Sequence, residues 1–358
     1  MKIGIVTFAW SVNYGAALQA LALQVILRRL GHRPFVLPIN PGSHRSWLRR
    51  YVGPGVNATM RKIKYQRLVS KFRSFRRAFY DFNSLQEGDY AHFISNCPPA
   101  DAYIAGSDQV WNLSVMQDAL EEKFYFLQMC PPQSRRVAYA ASWSMPEIAF
   151  EAEQRLRPIL AGYKAISVRE RSGVEILRKM GLSASWVPDP TLLLDQAEWT
   201  SLIGDNKGSL LSSQGAVLSY QLGWESVWDC HELAQQIARE LQSSVIEPFP
   251  SGDAYLSPQE WLMLFAKARC VITNSFHGTV FAVLFHRPFV VIPIRGRFAG
   301  MNERVTSLLE RVGLAGHLVT TAQEMKDAMR EEINWDDVDE RLCEFRHGGI
   351  AFLEQALA

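Results

Sequence analysis

The chain has 358 residues, 48% hydrophobic and 21% charged, which excludes a disordered or fibrous polymer and suits two domains of ordinary size. The most apolar stretch, 279–294, is interrupted by His286, Arg287 and Pro288, and Met1-Lys2 leads straight into Ile3-Gly4-Ile5-Val6, so neither a membrane span nor a secretory leader is expected. A formal charge of +2 hides an asymmetry: residues 1–80 hold 15 Lys and Arg and no Asp or Glu, whereas the remainder holds 23 basic and 36 acidic residues, which points to an anionic partner for the N-terminal part.

The first elements read as strand, loop, helix and strand. Residues 2–8 are an apolar strand and 13–16 a loop. Residues 17–30 place Leu18, Leu21, Leu23, Val25, Ile26 and Leu30 at helical spacing, Gly31 stops the helix, and 34–39 is the next strand. Such a βαβ opening implies a parallel sheet. No Gly-x-Gly-x-x-Gly follows the first strand, so a dinucleotide site gains little support. Residues 41–80 then break the alternation as a basic helical insertion. Its aromatic and cationic part includes Trp47, Arg49, Arg50 and Tyr51, and from about Met60 to Tyr80 a helix is expected with Ile63, Leu68, Val69, Phe72 and Phe79 as its apolar contacts. A solvated helix and a surface for anionic lipid or a pyrophosphate-linked substrate are both open for it. Nucleic acid is not expected, because no zinc finger, helix-turn-helix or RNP-like motif accompanies the basic run.

Strands at 102–105, 136–141 and 165–168 and helices at 147–163 and 172–180 complete the first half. Trp186-Val187 leads into the rigid Pro188-Asp189-Pro190-Thr191, which marks the domain boundary. The second half repeats the pattern, with strands at 216–220, 244–247, 270–272 and 288–292 and helices at 227–241, 258–267, 279–285 and 305–312; from Met325 the chain is helical to its end. The expected fold is therefore α/β, two Rossmann-like doubly wound domains facing a cleft. Residues 1–188 form the N-terminal domain with the insertion 41–80, 189–335 the C-terminal domain, and 336–358 a helix packing back on the first domain.

Polar clusters recur just past the C-terminal ends of the expected parallel strands, where open α/β sheets bind ligands. These are Asn13-Tyr14-Gly15, Gly106-Ser107-Asp108-Gln109, Arg169-Glu170 and Asn274-Ser275-Phe276-His277-Gly278. In the last, Asn274 or Ser275 can cap the following helix, Gly278 can admit an anion to the backbone, and His277 can act as a general acid; a capped helix with a structural histidine is the competing use. Arg169 can grip a carboxylate or phosphate, or form a salt bridge with Glu170 or Asp189. Ser107, Asp108 and Gln109 suit substrate hydroxyls or a helix cap, and Trp111 and Trp143 suit a sugar face or the core. The cysteines (Cys97, Cys130, Cys230, Cys270 and Cys343) are scattered, without metal-ligand or nucleophile spacing, and read as buried reduced thiols; no carboxylate-rich metal cage stands out.

Taken in order, Ser11 to Ala20, Tyr103 to Asn112, Ser167-Val168-Arg169-Glu170, Val187 to Leu193, Thr273 to Gly278 and Asn302-Glu303-Arg304 resemble the motifs of polysaccharide pyruvyl transferases. The resemblance implies a fold similar to GT-B glycosyltransferases and phosphoenolpyruvate as donor, with no cofactor and no metal. It implies a pyruvate ketal bridging two hydroxyls of a sugar in a capsule, exopolysaccharide or wall polymer. His277 and Arg169 are then the catalytic residues, and Asn13, Tyr14, Gly15, Ser107, Asp108, Gln109, Asp189, Asn274, Ser275, Gly278 and Arg304 bind donor or substrate. Family members often carry Arg-Leu-His where this chain has Ser275-Phe276-His277, leaving Arg169, Arg295, Arg297 and Arg304 as available replacements for the missing arginine. A cytoplasmic enzyme is implied, with a lipid-pyrophosphate-linked oligosaccharide as one form of acceptor and residues 45–77 touching the inner membrane face. The rival expectations are a nucleotide-sugar-dependent glycosyltransferase and a non-catalytic glycan-binding protein on the same fold.

Overall fold

The run Lys2–Val6 carries no polar side chain after its first residue and forms β1, buried from Ile3 onward. In the computed structural model, which describes residues 1–40, 58–204, 215–223, 225–250 and 252–358, contacts divide the chain into two units. The first comprises Met1–Lys62, Arg76–Leu193 and Glu344–Ala358, and the second Ile63–Phe75 and Leu194–Cys343. Residues 41–57 of the expected insertion, with Trp47, Arg49, Arg50 and Tyr51, lie outside the described residues.

The first unit holds a parallel sheet of β1, β2 (Arg33–Val36), β3 (Ala102–Ala105), β4 (Arg135–Ala141), β5 (Ala165–Val168) and β6 (Ser185–Trp186), in the order β2-β1-β3-β4-β5-β6. The chain leaves β1 toward β2 on one side and β3 toward β4 on the other, so the topological switch point lies between the C-terminal ends of β1 and β3. The unit's helices are α1 (Tyr14–Arg29), α3 (Tyr90–Ser95), α4 (Ala119–Tyr125), α5 (Phe150–Leu160) and α6 (Arg171–Lys179), and α2 (Ala58–Phe79) has only its two ends in this unit. Helix α1 starts a turn earlier than its apolar periodicity suggests. Asn13 is the N-cap, its Oδ1 accepting from the Ala16 amide at 3.1 Å, so Tyr14, Gly15 and Ala16 are helical rather than loop. Trp111 and Trp143 are fully buried with ring centroids 5.2 Å apart, and Trp111 stacks on Phe126. They serve the core, not a sugar face.

The second unit holds a parallel sheet in the order β10-β9-β7-β8, from β7 (Val217–Tyr220), β8 (Val245–Ile246), β9 (Cys270–Thr273) and β10 (Phe289–Val291). Its switch point lies between β7 and β9. The remaining helices are α7 (Gln196–Ile203), α8 (Cys230–Glu240), α9 (Pro258–Lys267), α10 (Phe276–Leu284), α11 (Asn302–Arg311), α12 (Ala322–Arg330) and α13 (Trp335–Leu357). Every residue of α10 is buried, as expected of a helix that is apolar all round. The helical C-terminus is thus two helices, and Glu344–Ala358 of α13 belongs to the first unit, where Phe345 meets Trp186 at 5.1 Å and Arg346 donates to the Leu192 carbonyl.

Helix α2 differs most from its expected pattern. Tyr65, Leu68, Phe72 and Phe75 are buried, whereas Ile63 is exposed and Val69 half-buried. The stretch 63–75 belongs to the second unit, not to the N-terminal domain as a whole insertion. There Tyr65 meets Phe249 at 5.7 Å, and Lys71 Nζ lies 2.7 Å from Glu260. Two of the thiols, Cys230 and Cys270, are buried; Cys97 and Cys130 are partly exposed and Cys343 is exposed, which corrects the uniform buried assignment. Among the described residues, no helix is long and apolar enough to cross a membrane.

Candidate functional site

In the first unit Thr7, just past β1, joins the clusters after β3, β5 and β6 in one hydrogen-bonded network. Gln19 Nε2, on α1, donates to Thr7 Oγ1 at 2.8 Å, and Thr7 Oγ1 donates to the Ser107 carbonyl at 2.8 Å. This spans the switch point from the end of β1 to the end of β3. The Ser107 hydroxyl lies 2.8 Å from Asp189 Oδ2 and 2.9 Å from the Ala140 carbonyl, sharing its one proton between them. Asp189 also accepts from Arg169 Nη1 at 2.7 Å, and from the Thr191 amide and hydroxyl at 3.0 and 2.7 Å. Arg169 Nη2 reaches Asp108 Oδ1 at 3.4 Å.

These groups are buried: the side chains of Arg169 and Asp189 are 1% and 0% exposed. Burial alone would lower the Arg169 pKa, but Asp189, Asp108 and Glu170 carry it above its ordinary range. A guanidinium held by two carboxylates is not a ready grip for a donor phosphate. Of the two uses open for Arg169, the geometry displays the salt bridge, to Asp189 and to Asp108. Glu170 accepts from the amides of Trp143 and Ser144 at 2.7 and 3.0 Å.

The loop that carries Ser107, Asp108 and Gln109 is fixed against β4. Gly106 has φ +109°, and a Cβ there would collide with the Tyr139 carbonyl, so the position requires glycine. The Ser142 amide donates to the Asp108 carbonyl at 3.0 Å, and Gln109 Oε1 accepts from Asn112 at 2.9 Å. Asn13 and the buried Tyr14 and Gly15 stand at the start of α1, the helix that carries Gln19.

In the second unit the corresponding residues gather at the β7/β9 switch point. Asn274 clamps the loop after β7: its Oδ1 accepts from the Leu222 amide at 2.8 Å and its Nδ2 donates to the Leu222 carbonyl at 3.3 Å. Ser275, rather than Asn274, caps α10, its Oγ accepting from the Gly278 amide at 3.3 Å. His277 is therefore on the first helical turn. It is 5% exposed, with its ring 5.2 Å from Phe276 and nearly perpendicular to it. The space at Gly278 is taken by the protein itself: a Cβ would overlap Thr273 Oγ1 and stand 3.1 Å from Thr273 Cβ. Its glycine thus serves helix-to-strand packing, not the approach of an anion to the backbone.

Arg304 sits in the first turn of α11, buried, with its Cζ 5.8 Å over the Phe276 ring and its Nε donating to the Met301 carbonyl at 3.1 Å. Arg295 and Arg297 are exposed. Among these candidates for the missing arginine, Arg304 is the one packed against the α10 turn. Asn302 repeats the Asn274 device, exchanging two hydrogen bonds of 2.9 Å with the Ile294 peptide groups.

The structure thus brings Ser107, Asp108, Arg169 and Asp189 together in one unit, and Asn274, Ser275, His277, Gly278 and Arg304 in the other. Thr7, Gln19 and Thr191 escaped the sequence reading. Gln19 had a signal, a polar side chain inside an apolar helical stripe, and Thr191 stands two residues after an Asp that its amide and hydroxyl both reach.

The family model described as polysaccharide pyruvyl transferase matches residues 13–295. The chain belongs to this family. The match starts at Asn13 and covers the site residues named above except Thr7, which precedes it, and Arg297, Asn302 and Arg304, which follow it. No curated protein matches this pyruvyl transferase family member in sequence. Solved structures do match its fold. The Staphylococcus aureus MnaA–UDP co-structure aligns with a TM-score of 0.51 at 12% identity, over 96% of this chain and 90% of that one. A putative UDP-N-acetylglucosamine 2-epimerase from Listeria monocytogenes gives 0.52 at 9%, over 97% and 90%. The UDP-GlcNAc 2-epimerase from Methanocaldococcus jannaschii gives 0.51 at 10%, over 94% and 95%. These likenesses establish the fold, mixed α/β with parallel sheets of the GT-B-like kind, and carry no activity across.

Proposed function

We propose that the chain moves pyruvate from phosphoenolpyruvate onto two hydroxyls of a sugar as a ketal, in the synthesis of a bacterial surface polysaccharide. The observation that carries the proposal is His277, buried on the first turn of α10 at a switch point, within the span that matches the pyruvyl transferase family. Ligands of doubly wound sheets bind at such points.

In the proposed reaction His277, as imidazolium, gives a proton to the methylene carbon of phosphoenolpyruvate, and the carbon–carbon π pair forms the new C–H bond. Positive charge develops at the central carbon, and the first sugar hydroxyl adds there while its proton returns to the histidine. The carbon–oxygen bond to phosphate then breaks, with the electron pair leaving on phosphate. The second hydroxyl adds, its proton passes to phosphate, and the ketal closes. General acid catalysis of this kind contributes roughly 10²- to 10⁴-fold. Arg304 and the α10 N-terminus are assigned to the donor's anionic groups, because a cation and a helix start stand in the same place. The Arg169–Asp189–Ser107 network is assigned to positioning the loop after β3, and Asp108, Gln109 and the start of α1 at Asn13, Tyr14 and Gly15 are assigned to the substrate side.

The proposal is tested by incubating sugar acceptors with phosphoenolpyruvate and following both products. One phosphate released for each pyruvate ketal gained, seen by mass spectrometry of the glycan, is the expected result. Nucleotide release from UDP-sugars without phosphate release from phosphoenolpyruvate would transfer the assignment to a glycosyltransferase, and no binding of either donor by calorimetry would make the chain a glycan-binding protein.

A further inference from the structure

Helix α2 has two faces of opposite character. One face buries Tyr65, Leu68, Phe72 and Phe75, spaced three and four residues apart. Along its margin two lysines have acidic partners: Lys64 lies 3.5 Å from Asp253, and Lys71 2.7 Å from Glu260. Toward the C-terminal end, Arg76 Nη1 donates to the carbonyls of Ala9, Trp10 and Ser11, at 3.4, 2.9 and 3.4 Å.

The opposite face carries Lys62, Ile63, Gln66, Arg67, Ser70, Arg73, Ser74 and Arg77. All eight are exposed. The helix contains no Asp or Glu, and none of Lys62, Arg67, Arg73 and Arg77 has an ion pair among the described residues. Four unbalanced cations therefore line one side of a rigid rod about 22 Å long between residues 62 and 77, at a rise of about 1.5 Å per residue. At the N-terminal end of the stripe stand two apolar side chains with no core to fill: Met60 is 59% and Ile63 40% exposed.

We infer that this stripe is a docking surface for an anionic lipid bilayer. The charge pattern calls for an extended anionic counter-surface, and a straight helical stripe matches a plane of headgroups. Met60 and Ile63 decide between a membrane and a nucleic acid, since exposed aliphatic side chains at the end of a cationic helix gain from the headgroup–acyl boundary and gain nothing from phosphodiester. Gln66, Ser70 and Ser74 are short and polar, so they let the longer Lys and Arg side chains reach the headgroups without obstruction. The inference does not depend on the proposed transfer reaction, because it concerns where the chain binds rather than what it converts.

The test uses the full chain and extruded vesicles of phosphatidylcholine, with and without phosphatidylglycerol, in a co-sedimentation assay at low and high salt. The chain is expected to sediment with phosphatidylglycerol vesicles, to stay in solution with pure phosphatidylcholine, and to be released by salt. Each of Lys62→Gln, Arg67→Gln, Arg73→Gln and Arg77→Gln should weaken binding roughly fivefold, and the four together roughly 10²- to 10³-fold. Met60→Ser with Ile63→Ser should weaken it further without changing the salt dependence. Lys179→Gln with Lys326→Gln, removing exposed cations elsewhere, should leave binding intact; circular dichroism and thermal melting check that each variant is folded. Equal binding to neutral vesicles, or full binding by the four-fold variant, would overturn the inference. So would tighter binding to single-stranded RNA than to phosphatidylglycerol vesicles, lost in the same variants.

Discussion

The hydroxyl of Ser107 and Oδ2 of Asp189 lie 2.8 Å apart, although 82 positions separate them in sequence. Ser107 follows β3 and Asp189 follows β6, so this contact ties two strand-end clusters of the first unit to each other. Through Asp189 it reaches Arg169, and through the Ser107 carbonyl it reaches Thr7 and Gln19. The loop after β3 is thus held from both sides of the switch point by groups that are themselves buried. Preorganised loops of this kind let a site hold charge without rearranging its own dipoles.

Asp189 is the centre of that arrangement, accepting from Ser107, Arg169 and both donors of Thr191. Asp189→Asn keeps the shape but removes the charge facing a buried guanidinium. The expected loss is about 3–5 kcal/mol in unfolding free energy, against about 1 kcal/mol for Ser107→Ala, whose second acceptor is a carbonyl. Denaturant titration of both variants measures the difference. Equal, small losses would mean that Arg169 relies little on Asp189.

His277→Gln preserves a polar side chain on the first turn of α10 while removing the imidazole. Turnover is expected to fall roughly 10²- to 10⁴-fold. The melting temperature should stay close to that of the unmodified chain. Phosphate release from phosphoenolpyruvate at a near-native rate would remove His277 from the role of proton donor.

Arg304 offers a separate handle, because its guanidinium lies over the Phe276 ring while His277 follows in the chain. Arg304→Lys retains the charge and loses the planar fork, so KM for phosphoenolpyruvate should rise about tenfold with kcat little changed; Arg304→Met should raise it further. Steady-state kinetics over a range of donor concentrations separates the two constants. An unchanged KM in both variants would place the donor's anionic groups elsewhere.

Much of this fold was legible because each parallel strand is a short apolar run that ends in a polar cluster. The ends of β3 and β5 are therefore legible to the residue and that of β9 to within one, whereas β1 ends at Val6, two residues before its apolar run suggests. Helix starts were placed a turn late at Ala17 and Thr279, because apolar periodicity begins there. The caps, Asn13 and Ser275, each stand four residues earlier and set the backbone. The inner face of α2 was obscured by its own composition. Ile63 and Val69 compete with Tyr65 and Phe75 for the same spacing, and only tertiary packing selects between the two stripes. The partners of Arg169 were only partly readable: Asp189 was a named alternative, but Asp108 lies 61 positions away and no local rule connects them.

Gly278 tests whether a site glycine serves ligand or packing. A Cβ at 278 would overlap Thr273 Oγ1, which donates to the Tyr220 carbonyl at 2.6 Å and accepts from the Ser275 amide at 3.0 Å, so it cannot move away without loss. Gly278→Ala is expected to destabilise by about 1–3 kcal/mol, the usual cost of overpacking. In a double-mutant cycle, Thr273→Ala should cost less in the Gly278→Ala background than alone, with a coupling of about 0.5–3 kcal/mol. Additive effects in thermal or denaturant unfolding would show that the two positions do not compete for space.

The contact between Lys71 on α2 and Glu260 on α9 gives the second unit an acid-sensitive component. Burial alone would raise the Glu260 pKa, but hydrogen bonds from Lys71 and Ser257 and the Lys71 charge hold it below its ordinary value of 4.5. A carboxyl whose folded pKa is depressed contributes stability above its unfolded pKa, and that contribution disappears as pH falls through the folded value. The melting temperature should therefore decline on acidification below about pH 4.5 more steeply in the unmodified chain than in Glu260→Gln. Lys71→Met should reproduce part of that flattening, because it removes the cation while leaving the Ser257 hydrogen bonds of the α9 capping box in place. Melting curves recorded between neutral pH and pH 3 provide the comparison, and parallel declines in all three proteins would show that the ion pair contributes nothing to stability.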